Sequence, residues 1–172
     1  MTFDPELLLA TLGRHGVEFV VIGGLAATIH GSTLATFDVD VTPRRTRDNL
    51  ARLSDALTEV NARIRDDAGG AGLRFNHDAA SLADVEMWNL NTDAGDLDLS
   101  FLPAGTGGFD DLARDAIRVD IAGITLLVAS LADVIRSKEA ADREKDRAAL
   151  PLLRKLLSGV SEPPPSRPPP PT

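Results

Sequence analysis

Residues 23–40 read Gly23-Gly24-Leu25-Ala26-Ala27-Thr28-Ile29-His30-Gly31-Ser32-Thr33-Leu34-Ala35-Thr36-Phe37-Asp38-Val39-Asp40. An apolar, β-rich segment at 17–22 leads into the glycine pair. A short helical stretch at 25–30 follows, then a polar turn and a second strand at 37–42. Side chains alternate faces along a strand, so Asp38 and Asp40 project together while Phe37, Val39 and Val41 are expected on the other face. Two carboxylates on one strand edge, close to a glycine turn that opens a helix, suit a divalent metal and a nucleoside triphosphate.

A third acidic strand, Gly95-Asp96-Leu97-Asp98-Leu99-Ser100-Phe101, repeats the alternation. Leu97, Leu99 and Phe101 mark its apolar face, which puts Asp96, Asp98 and Ser100 on the polar one. If this strand lies beside 37–42, Asp98, at mid-strand, reaches the same metal. Asp96 follows a turn and is expected to shape it.

Each feature has an ordinary reading. A glycine pair is a common turn signal, and a lone Asp-x-Asp belongs on a solvated edge strand. Neither the Gly-x-Gly-x-x-Gly fingerprint nor the P-loop pattern is present. What favours a site is the company: Ser32, Thr36 and the glycines stand at close sequence range to two carboxylates that would repel without a cation. Lys138 and Lys145, seven apart, share a face if the helix between them is continuous, and would contact triphosphate oxygens or an acceptor. Glu139, Asp142 and Glu144 offer them an equally good role in surface ion pairs. His30 is expected to be structural, and Trp88 with Phe75 to be packing.

The rest of the chain sets bounds. One domain at 1–157 is expected, with a proline-rich tail at 158–172 in which seven of the last ten residues are proline. There are no cysteines, so disulfides and thiolate metal sites are excluded, and three scattered histidines disfavour zinc. No apolar run is long enough for a membrane span and no signal peptide opens the sequence, so a cytoplasmic protein is expected. A formal charge of −8 argues against broad nucleic-acid binding, although Arg44, Arg45, Arg47 and Arg52 leave room for a local basic groove.

The remaining elements read as helices at 4–14 (Asp4 as cap, Pro5 at the first position, Leu7, Leu8 and Leu12 facing the core), 46–60, 109–116, 130–141 and 147–157. Strands are expected at 73–76, 85–91, 96–102, 118–121 and 124–128, with a turn or mobile loop at 66–72 and a glycine-rich loop at 103–108. The fold class is α/β: helices packed on a central mixed β-sheet.

The run Val21-Ile22-Gly23-Gly24-Leu25-Ala26, His30-Gly31-Ser32 and Thr36-Phe37-Asp38-Val39-Asp40-Val41 resembles the nucleotidyltransferase superfamily, the DNA polymerase β-like fold. Asp96-Leu97-Asp98-Leu99, the segment 128–138 and Arg143-Glu144-Lys145-Asp146 follow the pattern of small AbiEii-like bacterial members known from toxin–antitoxin systems. The resemblance covers roughly residues 15–156. It implies a nucleoside triphosphate substrate and magnesium, as two ions, held by Asp38 and Asp40, with Asp98 activating the acceptor hydroxyl. It also implies Gly23, Gly24 and Ser32 on the phosphates, with Thr36, Lys138 and Lys145 completing the nucleotide-binding set. The acceptor would be tRNA, a partner protein or a small molecule. The alternative is a catalytically inactive antitoxin or nucleotide-binding module of the same fold. Leu34 stands where many relatives carry arginine, and Asp142, where glycine is common, implies a longer helix there.

Overall fold

The computed structural model describes residues 3–66, 68 and 70–159; most of the proline-rich tail lies outside them. Among the described residues the chain forms α1 (Pro5–Arg14), β1 (Phe19–Ile22), α2 (Gly23–Ile29), β2 (Asp38–Pro43), α3 (Arg47–Glu59), β3 (Arg63–Ile64), α4 (Ala79–Ala83), β4 (Met87–Thr92), β5 (Gly95–Ser100), α5 (Phe109–Asp115), β6 (Ile117–Ile121), β7 (Ile124–Val128), α6 (Leu131–Ala141) and α7 (Glu144–Leu157). The strands make one seven-stranded sheet in the order β3-β4-β5-β2-β1-β7-β6. It is mixed: β2 runs parallel to β5 and β1 parallel to β7, while every other neighbouring pair is antiparallel.

Local chemistry starts and stops these elements. Asp4 accepts the Leu7 amide at 2.9 Å and Pro5 occupies the first helical position, so α1 begins where its sequence indicates. Ser130 caps α6 through the Asp133 amide at 3.1 Å. Buried Asn49 on α3 accepts the Glu18 amide at 2.7 Å and donates to the carbonyls of Glu18 and Arg44 at 2.9 and 2.8 Å. That side chain clamps the start of β1 to the end of β2. The register it supports pairs Ile22 with Asp40, setting the aspartates level with the glycine turn.

The core is a single cluster in which Leu8, Leu9 and Leu12 of α1 and Leu50, Leu53 and Leu57 of α3 meet Val20, Val21, Val39, Val41, Leu97 and Leu99 of the sheet. Each fully buried aliphatic side chain contributes on the order of 1.5–3 kcal/mol. Leu7, expected in this face, is instead 47 % exposed, and Leu9 takes the core position. Phe37 departs more sharply: it lies outside β2 and is 76 % exposed, so the buried alternation is carried by Val39 and Val41 alone.

Other expectations change at element ends. The strand expected at 73–76 is only an isolated bridge from Leu73 to Ile64; β3 and α4 appear where no element was expected. Helix α2 begins at Gly23 itself, and α7 begins at Glu144 rather than at 147. Asp142 does not lengthen α6. It adopts the left-handed conformation at φ 48°, ending α6 as a glycine would, so Lys138 and Lys145 lie on two separate helices.

Three of the four arginines after the aspartate pair are used within the fold, and Arg47 is exposed. Arg44 pairs with Glu18 and Asp110 and stacks over Phe109, Arg45 donates to the carbonyls of Ala83 and Val85 and covers Phe101, and Arg52 donates to Gly16 O at 2.9 Å. These three are fold staples, not a basic groove. No described helix is long and apolar enough to cross a membrane.

Candidate active site

The parallel pairing of β2 with β5 puts Asp40 opposite Asp98 and Asp38 opposite Asp96. One carboxylate oxygen from each of Asp38, Asp40 and Asp98 lies within 4.8 Å of the other two, and all three side chains are partly buried. Like charges this close disfavour full ionisation. Burial, then Asp38 and Asp98, push the Asp40 carboxyl from 3.8 up to about 7, against the pull of Lys145 and Lys138. Burial also raises Asp98, with Arg65 opposing it and Asp38 adding to it.

Glycine 23 is required by its neighbour. Its φ is +64°, and a Cβ there would stand 2.3 Å from Oδ2 of Asp40. A Cβ on Gly24 would stand 2.7 Å from Oγ1 of Thr36. The pair therefore lets the β1–α2 corner close directly over the acidic strand. Thr36 donates to Asp38 Oδ1 at 3.1 Å, which fixes that carboxylate from the turn side. Ser32 is buried nearby and its Oγ accepts the Leu34 amide at 3.3 Å.

Facing the acids is the α6–α7 junction. Asp146 is fully buried, lies 3.2 Å from Lys138 Nζ and 2.6 Å from Arg143 Nε, and also accepts the Arg143 amide at 3.3 Å. Burial pushes its carboxyl up, but the bonds from Arg143 and Lys138 outweigh this and hold it below the ordinary range. Arg143 in turn feels Asp40 and Asp38 across the gap. Lys145 is exposed at the rim.

Between these walls lies a cavity of about 730 Å³, within the range of small-ligand pockets. All nine residues singled out from the sequence line it: Gly23, Gly24, Ser32, Thr36, Asp38, Asp40, Asp98, Lys138 and Lys145. Leu34, Phe37 and Met87 are exposed lining residues and give it an apolar stretch, beside exposed Arg143 and Lys145. His30 donates from Nε2 to Ala129 O, 2.8 Å away, and is structural; Trp88 and Phe75 pack ring on ring at 5.0 Å.

Sequence reasoning missed two residues. Arg143 enters the sequence reading only within the Arg143-Glu144-Lys145-Asp146 run and without a role, although an acid at the third position of a helix that accepts the cap amide is half of a recognisable capping pattern. Arg65, in ion-pair contact with Asp98, carried no signal at all, since it meets that strand only through sheet pairing.

The donor set fits a hard divalent cation. Three oxygens converge, no nitrogen or sulfur ligand intrudes, and a cation would relieve the repulsion that raises Asp40.

No family model matches the sequence, and no curated protein matches it. Solved structures do resemble it. The lincomycin-bound lincosamide antibiotic adenylyltransferase LnuA superposes with a TM-score of 0.58 at 13% identity, over 90% of this chain and 98% of that one. The antibiotic-resistance factor ANT(2'')-Ia matches in its solution structure with a TM-score of 0.54 at 15% identity, over 87% of this chain and 80% of that one. Its complex with adenylyl-2''-tobramycin gives 0.53 at 16% identity, over 87% and 85%. The chain has the nucleotidyltransferase fold. Within that fold the acidic triad sits where β2 and β5 run side by side, and the glycine corner closes over it.

Proposed function

We propose that this protein is a magnesium-dependent nucleotidyltransferase that moves a nucleoside monophosphate from a nucleoside triphosphate to a hydroxyl acceptor. The observation that carries the reading is the convergence of Asp38, Asp40 and Asp98 on one wall of the cavity. The residues around it divide the work. Asp38 and Asp40 would hold the metal, whose charge neutralises the phosphate oxygens and the pyrophosphate leaving group. Gly23, Gly24, Ser32 and Thr36 would line the phosphates, and Lys138, Arg143 and Lys145 would lie on their far side. Asp98 would take the proton from the acceptor hydroxyl as its oxygen bonds to the α-phosphorus. The bond from that phosphorus to the bridging oxygen breaks, and pyrophosphate leaves.

A small-molecule acceptor is favoured over tRNA. Leu34, Phe37 and Met87 give the cavity exposed apolar surface, Arg44, Arg45 and Arg52 are spent on the fold, and the net charge is −8. Two neighbours of the fold, LnuA and ANT(2'')-Ia, are described with antibiotics, which supports the same choice. A place in a toxin–antitoxin system remains the reading drawn from the AbiEii-like resemblance.

One observation favours the inactive binding module: Asp98, the residue assigned to proton transfer, is in ion-pair contact with Arg65. Titration calorimetry with ATP, GTP, CTP and UTP, in magnesium and then in EDTA, separates the readings when followed by pyrophosphate release. Magnesium-dependent binding of a nucleotide is expected, lost in Asp38→Ala with melting unchanged. Binding without any turnover across a panel of hydroxyl acceptors would select the binding module. Nucleotide binding that ignores both EDTA and Asp38→Ala would sink the metal site.

A further inference from the structure

Arg65 follows β3 and takes no part in the scheme above. Its Nη2 meets Oδ1 of Asp98, its Nε lies 3.3 Å from Oδ2 of Asp96, and its backbone amide donates to Asn89 O at 2.8 Å. Asp96 and Asp98 are two apart on β5 and share a face, so the guanidinium spans both. Nη2 donates to Asp98, while the buried Nε makes no hydrogen bond despite its closeness to Asp96. Asp96 is also held by Asn91, whose Nδ2 donates at 2.7 Å.

A cluster of three carboxylates needs compensating charge whenever no metal is bound. Among the described residues, Arg65 is the cation in ion-pair contact with a member of the triad. The cations of the α6–α7 junction are committed to Asp146 or exposed at the rim. We propose that Arg65 is a resident counter-cation that suppresses binding of a free divalent ion, so that metal enters mainly together with the nucleotide. The inference rests on the reading of the triad as a metal site. A free ion meets the guanidinium's repulsion at close range. An ion carried by a triphosphate arrives with its charge already offset. Repulsion between a unit charge and a divalent ion several ångströms apart, in a partly hydrated site, is worth about tenfold in affinity.

The test uses manganese as the probe, its free concentration followed by electron paramagnetic resonance, on the full chain at a pH above the Asp40 titration. Wild type, R65A and R65K are compared without nucleotide and with α,β-methylene-ATP, with melting curves for each. R65A is expected to bind manganese alone about tenfold tighter than wild type, and R65K within about twofold of it. The affinity gained on adding nucleotide should be smaller in R65A than in wild type. Unchanged or weaker manganese binding in folded R65A would overturn the inference, because Arg65 would then serve to orient Asp98. R65Q serves if R65A fails to fold. Wild-type binding in the presence of nucleotide that is lost in Asp38→Ala keeps the metal reading intact even if the Arg65 variants sink this one; no manganese binding by wild type or R65A, beyond that of the nucleotide alone, would remove both.

Discussion

Two aspartates, one fully buried at a helix junction and one half-buried in the cavity wall, live in opposite electrostatic worlds. Asp146, at the α6–α7 junction, is inaccessible to solvent and answered by Lys138, Arg143 and a backbone amide, so its carboxyl stays ionised below the ordinary range. Asp40, on β2, is pushed to about 7 by its burial first and then by the two carboxylates beside it. A fold that only had to be stable would not build the second environment. Carboxylates crowded in a cavity wall fit the proposed cation site; a satisfied buried acid fits a joint.

The sharpest way to break this contrast is to remove the joint. Asp146→Ala leaves Lys138 and Arg143 without their shared partner and opens a buried gap between two helices. The expected loss is about 3–5 kcal/mol in chemical denaturation. Asp146→Asn should recover part of it, because an amide oxygen still accepts. A loss under about 1 kcal/mol from Asp146→Ala would mean that the junction holds without its acid.

Asp40→Asn should do the reverse. Without metal at pH 8 it is expected to raise stability by about 1–3 kcal/mol, while divalent binding is lost. The sign follows from the direction of the shift. Asp40 binds its proton more tightly folded than unfolded, so between its ordinary value of 3.8 and about 7 the folded state holds more protons. Its contribution to wild-type stability therefore falls as pH rises through that window, opposite to a salt-bridged aspartate. The asparagine variant should lose this slope. Thermal melts of both proteins in EDTA from pH 5 to 8 read it directly, and parallel curves would show that Asp40 is not strained.

How much of this contrast the sequence disclosed follows from the range of the interactions. Alternation within 37–42 and 96–102 announced which acids share a face, because a strand's geometry is local. Asp4 and Ser130 announced their helices for the same reason. The sheet order needs contacts between residues far apart, so the alignment of β2 with β5 stood only as a condition until the register was seen. Arg65 lay beyond reach for the same reason. Asp142 misled because a non-glycine residue was expected to continue the helix, whereas aspartate tolerates the left-handed turn that ends it. Phe37 misled because alternation was extended back one residue before the strand's start, where the side chain is exposed.

The smallest expected effect tests whether the two walls communicate. Lys145 is exposed and pulls the Asp40 carboxyl down from across the gap, while its neighbour Asp146 is already satisfied. Lys145→Ala should leave stability within about 0.5 kcal/mol, as a surface substitution does. It should weaken magnesium–ATP binding several-fold, on the order of 1 kcal/mol for one partly screened charge contact. It should also move the pH window of the Asp40 effect upward, since one of the groups holding that carboxyl down is gone. A change in nucleotide affinity with no movement of that window would show that Lys145 acts on the phosphates alone. Movement of the window with unchanged affinity would show that it acts only on the acids and make it a tuning charge of the triad. Both together are what a triphosphate lying between the two walls requires.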